Sequence, residues 1–145
     1  MEDKADRFDL TRFLTAQDLV IGQALQELRA GRKRSHWMWF IFPQLTGLGS
    51  STRAQFYAIS GQAEALAYLA HPILGPRLLE CTRAVNAVQN SSAYEILGSP
   101  DDLKFRSSIT LFNLVAPHAP EFSQALTQFF EGKGDPLTIQ KLPPT

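Results

Sequence analysis

The chemistry-bearing residues of this chain crowd into one segment, Arg32 to Thr52. There three cations, His36, an aromatic run, Pro43 and the loop Gly47-Leu48-Gly49-Ser50-Ser51-Thr52 follow one another directly. That mixture suits a small phosphate-bearing ligand. Trp37 and Trp39 offer faces for a base, and glycines ahead of a capped helix leave amide donors free for an anion, which makes Gly49 and Ser51 candidate contacts. Gln44 joins them as a side-chain amide between the aromatic run and the glycines. Arg34 nearby and Lys104 further along supply cations for phosphate. Plainer explanations compete for each residue. Aromatic side chains at this density commonly form core, cations after a helix serve its carbonyl end, and a glycine turn followed by a cap is an ordinary connection.

Acid-base chemistry would fall to His36, Glu64 and His71, since imidazole titrates near neutrality and a sheltered carboxylate can be tuned to do so. The competing readings are an interface histidine, a first-turn carboxylate and a helix-end cap. His118, between Pro117 and Pro120, reads as a loop residue. The histidines and Cys81 show neither His-x-x-x-His nor Cys-x-x-Cys spacing, so no metal and no cofactor is expected. The glycine loop lacks the Gly-Lys-Ser/Thr ending of a P-loop, and no Gly-x-Ser-x-Gly elbow is present. Asp101, Lys104 and Ser108 fall at i, i+3, i+7 on a predicted helix, which adds Lys104 and Ser108 to the candidate ligand contacts.

The elements that must position these residues are helices. Leu14, Ile21, Leu25 and Leu28 share one face of a first helix that Thr15 and Asp18 would cap and Gly31 would end. Trp37 to Phe42 reads as a short buried helical turn or strand before Pro43. Ser50, Ser51 or Thr52 caps a helix over about 53 to 59, and Ser60 caps Gly61 to Ala70, with Ala63, Leu66, Ala67 and Ala70 on one side. Leu74, Leu78, Cys81, Val85 and Val88 give the clearest amphipathic spacing and make Cys81 a core residue. After a short element from Ala93 to Leu97, Ser99-Pro100-Asp101-Asp102 starts a helix with Phe105, Ile109 and Phe112 inward. Phe122, Ala125, Leu126, Phe129 and Phe130 form the stripe of another, ended by Gly132.

The expected architecture is therefore mainly α, a compact bundle of five or more helices in one domain over residues 1–145, with room for a minor β element near Trp39. Its ordered core would run from about 8 to 142, between a frayed Met1 to Arg7 and a C-terminal coil through Pro143 and Pro144. Fourteen basic and fourteen acidic residues cancel, which argues against a broad nucleic-acid footprint. One cysteine, a charged amino terminus and no apolar run long enough to span a bilayer predict a cytoplasmic protein away from membranes.

Several motifs together resemble a bacterial family catalogued as domain of unknown function 1810. They are His36-Trp-Met-Trp-Phe-Ile-Phe-Pro-Gln44, Gly47-Leu-Gly49, Tyr57-Ala-Ile59, His71-Pro72, Leu74-Gly75, and Asp101-Asp-Leu-Lys104 through Ser107-Ser-Ile-Thr-Leu-Phe112. The resemblance runs from about Phe8 to about Leu142 and implies a mainly helical domain with no assigned activity. A fainter similarity, resting on Glu64, Tyr68 and Lys104-Phe105, is to the NADAR or YbiA-like group linked to ADP-ribose and N-glycosidic chemistry. It implies Glu64 as the acid-base group, Lys104 as a phosphate or ribose contact and Trp37 or Trp39 as a stacking wall. The tryptophan-glycine motifs of that group are absent here. Two functions follow as expectations: a pocket for a nucleotide-like or ADP-ribose-like ligand, with hydrolysis of an N-glycosidic bond as its extension, or a non-enzymatic module that binds another protein. The oligomeric state is open.

Overall fold

In the computed structural model, which describes residues 6–142, the chain is laid out as ten helices. They are α1 (Thr11–Asp18), α2 (Ile21–Arg29), α3 (Met38–Ile41), α4 (Thr52–Phe56), α5 (Gln62–Ala70), α6 (Leu74–Asn86), α7 (Ala93–Leu97), α8 (Asp101–Val115), α9 (Pro120–Phe130) and α10 (Pro136–Lys141). No strand occurs among the described residues. β pairing is limited to one parallel bridge between Leu45 and Ile59, which ties the segment after α3 to the segment after α4. Met1 to Ala5, where a frayed start is expected, lie outside the described residues, as do Pro143 and Pro144.

The bundle closes around α8. Six consecutive residues of that helix, Ser107 to Phe112, are buried, because α9, α7, α5 and α10 pack on different sides of it. A helix packed from several sides loses the two-faced pattern of a surface helix. Phe105 and Phe112 carry most of the contact: Phe105 meets Phe42 edge-on at 4.9 Å, and Phe112 lies 5.5 Å from Tyr68 and 5.9 Å from Phe122. Each such ring, fully buried, stabilises the fold by about 1.5–3 kcal/mol.

Two surface helices match their stripes. In α6, Leu74, Leu78, Cys81 and Val85 are buried, and Val88 packs on the core just beyond its end. Burial, with the Glu80 charge adding to it, pushes the Cys81 thiol up to about 12. In α9, Phe122, Ala125 and Leu126 are buried, and the left-handed Glu131 and Gly132 end the helix.

Elsewhere packing overrides the local pattern. The first helix is two, broken at Leu19-Val20, so Thr15 and Asp18 lie inside α1 and cap nothing, while Gly31 does end α2 at a φ of +78°. In α5 the alanine-leucine side faces outward, and Glu64, Ala65 and Tyr68 are the buried residues. The cause is specific: Tyr68 stands edge-on to Phe13 and accepts a hydrogen bond from Gln17 at 2.9 Å, while Glu64 pairs with Arg12 at 2.8 Å. Ser60 makes no cap, because its hydroxyl donates to Glu64 Oε1. The N-cap position of α8 is Pro100 and not Ser99.

The C-terminal segment is not the expected coil. It forms α10, which Asp135 caps by accepting from the Thr138 amide, with Pro136 at its first position. Pairing to α8 holds it there: Thr110 accepts from the Asp135 amide at 2.8 Å, Ser107 donates to the Asp135 carboxylate at 2.9 Å, and Arg106 donates to Lys133 O and Gly134 O.

Candidate functional site

The segment from Arg32 to Thr52 is anchored by a residue outside it, Glu27 of α2. Its carboxylate accepts from the amides of Arg34 and Ser35, the Ser35 hydroxyl, Gln23 and the Trp37 indole. Burial alone would raise its pKa, but these donors outweigh burial and hold it at about 2. Trp37 is thereby fixed as core, 1% exposed, with its N–H already given away. Next to it Lys33 donates through its amide to Ile96 O and pairs through its ammonium with Asp101 at 2.8 Å. The loop is thus tied to α7 and to the first turn of α8.

Trp39, the second residue of α3, has a different environment. The Arg53 guanidinium lies 5.1 Å from its ring centre and the Lys104 ammonium 5.2 Å, so two cations crowd one indole. Each such contact is favourable by about 0.5–2 kcal/mol, depending on exposure. The Trp39 indole nitrogen itself is buried without a hydrogen-bond partner. Lys104 reaches Asp101 only at 4.0 Å, a separation beyond a hydrogen bond, and Asp101 is already engaged by Lys33. Among the described residues Arg53 pairs with no carboxylate.

Lys104 opens onto a surface cleft of about 360 Å³. One wall is the chain after α3, with Gln44, Leu48 and Gly49; the other is the start of α8, with Leu103, Lys104, Arg106 and Ser107. Pro100 closes one end and Asp135 and Leu137 the other. Gly49 is required where the first wall packs on α4, because a Cβ there would sit 2.5 Å from the Ala54 methyl. Burial opposes ionisation of Asp135, but hydrogen bonds led by those of Thr138 and Ser107 prevail, and its carboxyl stays below its usual pKa. The cleft therefore carries Lys104 and Arg106 against one carboxylate that is already hydrogen-bonded.

Of the residues singled out from sequence, Gln44, Gly49 and Lys104 line this cleft together, and Trp39 touches it through Lys104. Ser51 is spent as the N-cap of α4, accepting from the Ala54 amide at 3.1 Å. Ser108 is fully buried one turn beyond Lys104, with its hydroxyl unpartnered, so it does not extend the polar line to the surface. The acid-base candidates stand elsewhere. Glu64 is held by Arg12 and Ser60, His71 accepts from the amides of Ile73 and Leu74 through Nδ1, and His36 is exposed; none of them lines the cleft.

Arg106, Ser107, Asp135 and the leucines of the cleft were not among the sequence candidates. Arg106 and Ser107 carried one usable signal, their position within a turn of Lys104. Asp135-Pro136 is a helix-start signature that would have located α10. Among the described residues no three His, Cys, Asp or Glu side chains gather as a metal ion would need, and no helix is long and apolar enough to cross a membrane.

The chain is similar to the conserved hypothetical protein Rv1873 from Mycobacterium tuberculosis, whose crystal structure shares 53% sequence identity with it. That match covers 97% of this chain and 100% of the other, with a TM-score of 0.94. No curated protein matches the chain. Residues 7–142 match the model of the family described as Protein of unknown function (DUF1810), and the chain belongs to that family.

Proposed function

We propose that this protein binds a small phosphate-bearing, nucleotide-like ligand in the cleft between Gln44–Gly49 and the start of α8. The observation that carries this reading is the state of Lys104. Its ammonium faces the cleft and makes no hydrogen bond among the described residues, while the carboxylate nearest to it is taken by Lys33. A half-buried cation with spare donors, beside Arg53 across one indole, is stabilised by an anion from solution. A cleft of about 360 Å³ also falls within the roughly 300–1,000 Å³ usual for small-molecule sites. The acid-base candidates His36, Glu64 and His71 all lie off the lining of the cleft. The reading is therefore of binding without hydrolysis of an N-glycosidic bond.

Thermal denaturation with nucleotides and ADP-ribose tests it. A ligand at 100 times its dissociation constant adds about 2.7 kcal/mol, which for a chain of this size raises the Tm by roughly 5–10 °C. Lys104→Met should abolish the rise and lower the unliganded Tm by no more than about 5 °C, since what it removes is chiefly the contact with the Trp39 ring. The absence of a shift with every phosphate compound would refute the proposal.

A second reading, a protein-binding module, is favoured by an apolar groove of about 330 Å³ where Leu66, Leu69 and Leu79 face Val115 and Phe122. Light scattering and pull-down with a Leu66→Glu variant test that reading.

A further inference from the structure

The tryptophans are the obvious platforms for a flat ring, but one is buried and the other already carries two cations. Trp37 is 1% exposed, and Trp39 already carries Arg53 and Lys104 against its indole. At the mouth of the same cleft, Leu103 and Leu137 are 56% and 53% exposed, with Leu48 half-buried opposite. Two large aliphatic side chains left in water, with Leu48 on the other wall, form an apolar ledge in the cleft that Lys104 also lines. From this we infer that the cleft takes a nucleoside monophosphate, with its base on the Leu48, Leu103 and Leu137 ledge and its phosphate at Lys104. The inference rests on the phosphate-binding reading above and specifies the ligand that such a site accepts.

Three features support this orientation. Covering exposed leucine with a ring removes apolar surface from water, the term that dominates small-ligand affinity. Gln44 lines the cleft with a side-chain amide that makes no hydrogen bond among the described residues, so it can meet a ribose hydroxyl or the polar edge of the base. The cleft volume lies near the low end of the range for ligand sites, which fits one ring and one phosphate better than a dinucleotide. The charge is arranged to match. Arg106 spends donors on Lys133 O and Gly134 O and faces no carboxylate within ion-pair distance among the described residues, so it adds positive charge to the lining that Lys104 shares.

Calorimetric titration of the wild-type chain and of Leu103→Gln and Leu137→Gln separates the parts of this inference. The probes are inorganic phosphate, ribose 5-phosphate, adenosine 5′-monophosphate and ADP-ribose. Both leucines are more than half exposed, so the variants should fold, and circular dichroism checks that they do. The nucleoside monophosphate should bind at least tenfold more tightly than ribose 5-phosphate. Each glutamine variant should lose about fivefold for the nucleotide and nothing for ribose 5-phosphate. Equal affinities for nucleotide and ribose 5-phosphate, or glutamine variants that keep full nucleotide affinity, would overturn the ledge and leave the phosphate site standing. ADP-ribose binding tenfold more tightly than the monophosphate would overturn the size assignment. Failure of all four probes would overturn the phosphate-binding reading itself.

Discussion

Replacing Glu27 with glutamine tests whether one buried carboxylate sets the position of the cleft-forming segment. In the native chain five donors converge on it, from Gln23, Arg34, Ser35 twice and Trp37, and the side chain is 6% exposed. Despite the opposing effect of burial, its pKa falls from 4.5 to about 2. That fall corresponds to about 3 kcal/mol of folding free energy. Because the folded pKa is the depressed one, this stability is fully present above pH 4.5 and is lost as pH falls through about 2. Glutamine cannot accept from all five donors, and its own amide protons face two of them, so Glu27→Gln should lose about 2–3 kcal/mol at pH 7 and roughly 5–10 °C in Tm. Urea denaturation followed by circular dichroism at pH 7, 4 and 3 measures both quantities. Asp6 and Asp135 also have depressed pKa values, so both proteins weaken in acid; the gap between them should narrow as pH drops. A loss below about 0.5 kcal/mol at pH 7, or a gap that stays constant with pH, would refute the role given to Glu27.

Three further outcomes follow from packing and burial. Gly75→Ala should destabilise by about 2–3 kcal/mol in urea denaturation, because its Cβ would stand 2.1 Å from Leu69 O, a backbone atom that cannot swing aside. Glu64→Gln should cost about 3 kcal/mol by leaving the Arg12 guanidinium buried without its countercharge. The same variant should keep ligand affinity within twofold in titration, because Glu64 lies off the cleft. Cys81, 1% exposed with its thiol pushed up to about 12, should resist iodoacetamide at pH 8 until denaturant is added, as mass spectrometry of the labelled protein will show.

The parts of the fold that can be read from sequence are those that bury a single face. The Leu74, Leu78, Cys81, Val85 stripe and the Phe122, Ala125, Leu126 stripe are visible because their helices lie at the surface of the bundle. Helix α8 defeats the same logic. It sits inside, so Ser107, Ser108 and Thr110 are buried along with Phe105 and Phe112, and a polar line drawn through Ser108 does not correspond to a solvated face. In α5 small residues make either face plausible, and the choice falls to Gln17 and Arg12, partners 51 and 52 positions away. The candidate site divides similarly. Gln44, Gly49 and Lys104 stand out by residue type, but their companions Asp135 and Leu137 join them only because α10 folds back onto α8. Conversely, His36, His71 and Glu64 attract notice as acid-base residues, although local hydrogen bonds account for His71 and Glu64.

The central claim, an anionic ligand held at Lys104 between two walls of one cleft, is tested most directly by following backbone amide resonances while adenosine 5′-monophosphate is titrated into the isotope-labelled chain. Saturable shifts should concentrate at Gln44, Leu48, Gly49 and Leu103 to Ser107, and should vanish in Lys104→Met. Shifts centred instead on Arg12, Glu64 and His71, or no saturable shifts in the wild-type chain, would contradict the account.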